Sequence, residues 1–324
     1  MTLERSQERN SNIELLRIVA IVGVLVLHFD LSSWDYVSDI FINKSILKIF
    51  QQISICAVNL FMMISGYFMV DKTKVTIRKP VELAIQLAVV SLIVHAIQLY
   101  TGSSQFTVEG LVILTVPGDY FIVLYSAVYL FAPFINRALN CENREAFRRL
   151  VLLMFLVFSV WNFFIDFISS VIDIPMPRSS TVTFSGSVNG YTVINFVLCY
   201  MIGAAIRKRI IVFKKPLVIF VFCIIAGLAT TLHDVSLGNS YLNPFGIVQA
   251  AAILILAEKF DFHSKAVNVL AKPVFMVYLT HKDVLYHTYN GAHVQGSALS
   301  MLMYLALMIF FLYFVGVCAH FIYF

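Results

Sequence analysis

Long apolar runs recur along the whole of this chain, separated by short polar stretches, and that pattern constrains its fold more than any motif does. A helix needs roughly 20 apolar residues to cross a bilayer, because within lipid every backbone amide must find its partner inside the span. Such runs are read at about residues 15–33, 53–70, 81–100, 117–135, 149–168, 191–206, 216–232, 244–257, 269–288 and 298–322. The expectation is an all-α protein, a polytopic transmembrane helical bundle of about ten spans forming one domain over residues 1–324. The eighth run is only about 14 residues long, where a buried or re-entrant helix competes with a span, and the ninth carries polar side chains. Only 13% of the residues are charged, against roughly 25% in a soluble domain. No soluble portion is large enough to hold an active site of its own.

Lysine and arginine set the orientation, since loops rich in them stay in the cytoplasm during insertion. Of the 23 lysines and arginines, only Lys44, Lys48, Arg178 and Lys282 fall on one side of a ten-span arrangement. An even number of spans with both termini cytoplasmic follows. The net charge of +5 is accounted for by this asymmetry and implies no nucleic-acid partner; membrane lipids are the partner the composition demands. Cys56, Cys141, Cys199, Cys223 and Cys318 are scattered, with neither a disulfide framework nor zinc-ligand spacing, so no metal is expected. The polar residues 1–12 lead into an apolar run without a small-x-small cleavage pattern, so the first helix is expected to be retained. The longest outer connection, residues 166–190, is rich in Ser, Thr, Pro and Gly. It reads either as a cover over an extracytoplasmic ligand or as a plain surface connector. There is no internal repeat, and no glycine-rich phosphate loop.

Ionisable side chains inside a span are costly and usually mark function. The first run, NSNIELLRIVAIVGVLVLHFD, holds Glu14, Arg17 and His28. At 3.6 residues per turn, the eleven steps from Arg17 to His28 complete about three turns, so both lie on one face roughly 16 Å apart and can line one cavity. Glu14 and Arg17, at i and i+3, can pair and lower the cost of placing the arginine near the membrane. His28 and Asp30 also sit near the end of the run, where they could simply meet water, and Arg17 alone reads as a positive-inside anchor. The second run, SICAVNLFMMISGYFM, brings Asn59, Ser65 and Gly66, residue types of close helix packing. The basic stretch after it holds Lys74, Arg78 and Lys79, which can bind phosphates as well as set topology. In AKPVFMVYLTHKD, Tyr278 and His281 share a helical face at i and i+3. His287 and His293, beyond them, are expected in solvent.

Taken in order, these segments resemble the acyltransferase 3 family of integral membrane acyltransferases, which O-acetylate cell-surface polysaccharides and related substrates. The most specific element is an arginine, ten intervening residues and a histidine in the first helix, carried here by Arg17 and His28 within ELLRIVA and LVLHF. VNLFMMISGYFM is similar to the family's second-helix motif, GDYFIVLYSAVYLFAPFI to its aromatic segment ending in proline, and FMVYLTH to its late aromatic-x-x-Tyr-Leu-x-His motif. The resemblance implies a membrane domain of roughly ten helices in the bacterial cytoplasmic membrane. It implies acyl-CoA, with acetyl-CoA as the expected donor, on the cytoplasmic side, and a surface polysaccharide or lipid-linked glycan as acceptor, reached from the other side or within the membrane. His28 would be the essential catalytic histidine and Arg17 the required arginine. Arg78 and Lys79 would fall in the basic donor-binding segment, where KTKVTIRKP replaces the richer arginine run of many relatives. No hydrolase-like or racemase domain is expected beside this membrane domain, so an acetyl relay to a secreted partner is expected to require another protein.

Acyl transfer from a thioester to an alcohol requires removal of the acceptor proton and stabilisation of an oxyanion. Histidine can act as the base or carry the acyl group itself, and the residues leave both routes open. The candidate catalytic set is Glu14, Arg17, His28, Tyr278 and His281, with Arg17, Lys74, Arg78 and Lys79 as donor-binding residues. A transporter or flippase of a lipid-linked glycan would use the same intramembrane Arg, His and Tyr with no need of CoA. A glycan polymerase or ligase would place its basic residues in a large outer loop, where this chain has only Arg178. A structural scaffold would tolerate His28→Ala.

Overall fold

The computed structural model describes residues 10–323 apart from 38, 103–104, 106, 109–118, 141–142 and 175–191. Arg5, Arg9, Gly118, Cys141, Arg178 and most of the connection read from 166 to 190 lie outside the described residues. The described residues contain helices and no strand. In chain order these are α1 (Ser11–Ser33), α2 (Phe41–Ser54), α3 (Ala57–Met69), α4 (Arg78–Tyr100), α5 (Tyr120–Asn140) and α6 (Arg144–Phe155). A π-helical turn (Leu156–Val160) joins α6 to α7 (Trp161–Ile172). Then come α8 (Val193–Arg207), α9 (Pro216–His233), α10 (Val235–Gly238), α11 (Pro244–Ala257), α12 (Lys265–Leu270), α13 (Val274–Thr288) and α14 (Ala298–Tyr323).

Each apolar run of the sequence contains a helix among the described residues, but the helices are not equally long, and the ninth run is broken by a turn at residues 271–273 before α13. Seven helical stretches among the described residues have the length and apolarity to cross a bilayer: Ser11–Tyr36, Phe41–Met69, Arg78–Tyr100, Tyr120–Asn140, Arg144–Ile172, Pro216–His233 and Ala298–Tyr323. The apolar helices α8 and α11 have 15 and 14 residues, a rise of about 21–23 Å against a hydrocarbon core of roughly 30 Å. Both shortfalls match short runs in the sequence, 244–257 for α11 and 191–206 for α8. Helix α7 continues to Ile172, six residues past the point at which the sequence reading opens the outer connection. The largest departure is α2, a helix where the sequence shows only a polar gap. Its buried face includes Asn43, Gln51 and Gln52 beside Leu47, while Phe41 and Ile42 face outward at 82% and 62% exposure. Polar residues inside and apolar residues outside invert the usual hydropathy signal, which is why the helix was not legible.

The chain groups into two compact units, one of Met1–Ile64, Val212–Leu232 and Phe245–Phe324, the other of Ser65–Ile211 and His233–Pro244. At the heart of the first unit, α1 is apolar nearly all round, with Ile13, Ile21, Leu25 and Phe29 essentially without exposure, the mark of an interior helix. Its start is fastened by the NSN sequence. Ser11 Oγ donates to Asn268 Oδ1 at 3.0 Å, Asn12 Nδ2 donates to the Phe260 carbonyl, and Asn12 Oδ1 accepts the Phe262 amide at 3.2 Å. Its far end is tied by Tyr289, whose hydroxyl donates to Ser33 Oγ at 2.8 Å; that hydroxyl donates in turn to the Phe29 carbonyl at 2.7 Å. Helix α2 is held by Asn43 Nδ2, which donates to the carbonyls of Val294 and Gly296, and by Gln52 Nε2, which donates to Thr231 Oγ1 at 2.7 Å. A Cβ on Gly316 would lie 2.5 Å from Val277 Cα, so α14 packs backbone to backbone against α13.

In the second unit the hub is Asn136 on α5, 1% exposed. Its Nδ2 donates to the carbonyls of Met69 and Lys72 at 2.6 and 2.8 Å, and its Oδ1 accepts the Tyr200 hydroxyl at 2.9 Å. One side chain thus fixes the end of α3, the start of the basic segment after it, and α8. Asn136→Ala strands the buried Met69 carbonyl and Tyr200 hydroxyl, at about 1–3 kcal/mol for each, and frees the part-buried Lys72 carbonyl. The expected result is a melting temperature lower by about 5–10 °C in detergent, read by fluorescence-detected size exclusion.

Candidate active site

The site is built on α1 and α13, both in the first unit. His28 lies near the end of α1 and is half-buried, while His281 on α13 has no exposure. Their ring centroids are 4.8 Å apart with the planes inclined at 58°. Tyr278, one turn before His281 and 8% exposed, places its ring 5.6 Å from the His281 ring. Sequence spacing gives the Tyr278–His281 pairing but not the contact with His28, because the two histidines are 253 residues apart in the chain.

Hydrogen bonding assigns the His281 protons. Nδ1 is 2.6 Å from the Tyr278 carbonyl oxygen, which can only accept, so Nδ1 carries a hydrogen and in the neutral ring Nε2 keeps its lone pair. Nε2 is buried and has no hydrogen-bond partner among the described residues. An unpartnered acceptor in a wholly buried position costs roughly 1–3 kcal/mol, so it calls for a physical explanation. The nearby ring belongs to the first-helix histidine.

Glu14 and Arg17 meet as their spacing predicts, Arg17 NH1 to Glu14 Oε2 at 3.5 Å, with the carboxylate side chain 8% and the guanidinium side chain 43% exposed. The carboxylate is buried and the arginine accessible, so the pair holds a cation at the surface of the unit. Asp30 departs from the sequence reading. It could have met water at the end of the run, but it is 2% exposed, and its Oδ1 has no hydrogen-bond partner among the described residues. A carboxylate in an apolar run two residues past His28 was the available signal. His287 and His293 are exposed, as expected, with His293 against the Tyr304 ring at 4.7 Å.

Lys74, Arg78 and Lys79 belong to the second unit and are exposed. Arg78 Nε is 2.7 Å and Lys79 Nζ 4.0 Å from the carboxylate oxygens of Glu82, so both are partly neutralised one turn along α4. An open cavity of about 390 Å³ in the same unit is lined by Asn143, Glu145, Ala146, Arg149, Leu150 and Leu153. No candidate residue lines it. Among the described candidate residues, the two histidine rings of α1 and α13 are the pair brought together from distant parts of the chain.

A family model described as an acyltransferase domain matches residues 10–320, from the cap of α1 to the last turn of α14. No curated protein and no solved structure matches the chain. The match takes in both units and every candidate residue, with a set of apolar helices able to cross a membrane, and the chain therefore belongs to the acyltransferase 3 family as a membrane acyltransferase.

Proposed function

We propose that the protein is an O-acyltransferase that moves an acyl group, expected to be acetyl, from cytoplasmic acyl-CoA to a hydroxyl of a cell-surface or lipid-linked glycan. The observation that carries this reading is the contact between the His28 and His281 rings, made by the two histidine-bearing segments that resemble the family's motifs. We propose ten crossings with both termini cytoplasmic, in the bacterial cytoplasmic membrane. Helices at all ten apolar segments and the one-sided distribution of lysine and arginine support it.

In the base route, His28 takes the proton of the acceptor hydroxyl as its oxygen attacks the thioester carbonyl. The C–S bond breaks, and CoA leaves as the thiol with that proton. In the carrier route, an imidazole nitrogen of His28 attacks first, the C–S bond breaks and CoA leaves as the thiol with the proton shed by the ring; the hydroxyl then attacks the acyl-imidazole, the C–N bond breaks, and the hydroxyl proton returns to the ring. His281 serves both, since its free Nε2 lone pair can accept an N–H from a positively charged neighbouring ring. Tyr278 shapes the acceptor side. Arg17, steadied by Glu14, presents a planar cation to the donor.

The test is transfer of label from acetyl-CoA by the purified protein in nanodiscs, with and without an extract of surface glycan. Arg17→Ala is expected to raise the KM for acetyl-CoA about tenfold or more, the loss of one charge-assisted hydrogen bond, with a smaller change in kcat. Folded wild type that acylates no offered acceptor but moves a lipid-linked glycan across the bilayer would put the transporter reading first.

A further inference from the structure

The second unit brings two cationic segments together that are far apart in sequence. The first is the stretch after α3, with Lys72, Lys74, Arg78 and Lys79; the second is the end of α8, with Arg207, Lys208 and Arg209 in succession. Lys208 Nζ meets Asp71 Oδ1 at 2.5 Å. Arg207 NH1 donates to the Tyr67 hydroxyl at 3.1 Å, and its guanidinium carbon lies 5.0 Å from the centroid of the Tyr67 ring. Arg209 turns the chain with φ +56, a left-handed conformation rare outside glycine, directly after the helix. The segments so joined hold seven cations, Lys72, Lys74, Arg78, Lys79, Arg207, Lys208 and Arg209, against two carboxylates, Asp71 and Glu82.

Membrane topology does not require this arrangement. The positive-inside effect needs charge anywhere in a cytoplasmic connection, and a freely moving lysine meets it. A guanidinium laid on an aromatic ring and hydrogen-bonded to that ring's hydroxyl is an oriented group. Stacking restrains the side chain before any ligand arrives, and a guanidinium has five N–H donors, of which the bond to Tyr67 uses one. An oriented planar fork in a cationic surface suits the oxygens of a phosphate ester better than it suits a point charge. Tyr67 is in turn set in place by its neighbour Gly66, on which a Cβ would lie 2.0 Å from the Tyr200 carbonyl oxygen, so α3 and α8 touch at the root of this cluster.

We propose that Arg207, held on Tyr67, is a phosphate-binding residue for the acyl donor and works with the basic segment from Lys72 to Lys79. The ligand class is an organic phosphate with a pyrophosphate or phosphomonoester group, as a CoA thioester carries. The inference rests on the acyltransferase reading above and adds to it a binding residue that none of the sequence motifs contains.

The experiment measures CoA binding by calorimetry, and the KM and kcat for acetyl-CoA, on the full-length protein in nanodiscs. Arg207→Ala is expected to weaken CoA binding and raise the KM about tenfold or more, with kcat within about twofold of wild type. Arg207→Lys should recover only part of the loss, because the charge returns without the fork, and Tyr67→Phe should give a smaller loss by freeing the guanidinium from its hydroxyl anchor. If the alanine variant does not fold, the lysine and phenylalanine variants decide. Wild-type CoA affinity in all the folded variants overturns the inference while leaving the acyltransferase reading intact. Wild type that neither binds CoA nor transfers acetyl groups overturns that reading, and this inference with it.

Discussion

His28→Ala is expected to reduce acyl transfer about 10²- to 10⁴-fold, the contribution of a positioned general base, while CoA binding and the melting temperature stay near wild type. The side chain is half-buried, so its loss leaves a void open on one side and a modest cost in stability. The position is sensitive because the neighbouring His281 cannot take over. Its Nδ1 hydrogen is committed to the Tyr278 carbonyl, and the ring has no exposure through which an acceptor hydroxyl could reach it. The same preparation separates the two routes. With labelled acetyl-CoA and no acceptor, a carrier histidine accumulates label on His28, detectable by mass spectrometry of the digested protein, whereas a base does not. Transfer within tenfold of wild type by a folded His28→Ala protein would reject both roles.

The second large effect is on folding and comes from Gly66. A Cβ there would sit 2.0 Å from the carbonyl oxygen of Tyr200, 2.8 Å from its carbonyl carbon and 3.0 Å from its Cα. These are backbone atoms, so no side-chain rotation relieves the clash and α3 must move from α8. Overpacking costs about 1–3 kcal/mol in a core that can adjust, and sometimes more; here the hydrogen bonds of Asn136 to Met69, Lys72 and Tyr200 lie in the same region and strain with it. Gly66→Ala is expected to lower the melting temperature by about 10 °C or to abolish the monodisperse peak in detergent. Gly246→Ala is the control. A Cβ there meets only a methyl of Ile55 at 3.7 Å, an ordinary contact, and the melting temperature should hardly change. An unaffected Gly66→Ala protein would refute the close approach of the two helices.

Much of the architecture was legible because membrane insertion acts on local sequence. Each span must satisfy its own backbone and cover its own length of hydrocarbon, so a run of apolar residues is enough to identify a helix. The i, i+3 pairings followed for the same reason: Glu14 with Arg17, and Tyr278 with His281, are set by helical geometry alone. The helix α2 was hidden because its polar side chains turn inward to bond Val294, Gly296 and Thr231, a choice that exists only once those partners are in place. The burial of Asp30 was not legible because hydropathy does not distinguish a carboxylate that meets water near the end of a span from one folded under its neighbours.

The sequence by itself determined that the chain is helical and bilayer-spanning, which residues share a helical face, and the family to which its motifs point. Those are properties of single helices and short segments, fixed by composition and by 3.6-residue periodicity. Only the tertiary structure decided that His28 meets His281, that Asn136 holds the basic segment, and that Arg207 lies on Tyr67. Such contacts join residues 64 to 253 positions apart. Their partners are chosen by close helix packing at positions such as Gly316 and Gly66, where the absence of a side chain, not its presence, sets the distance between backbones.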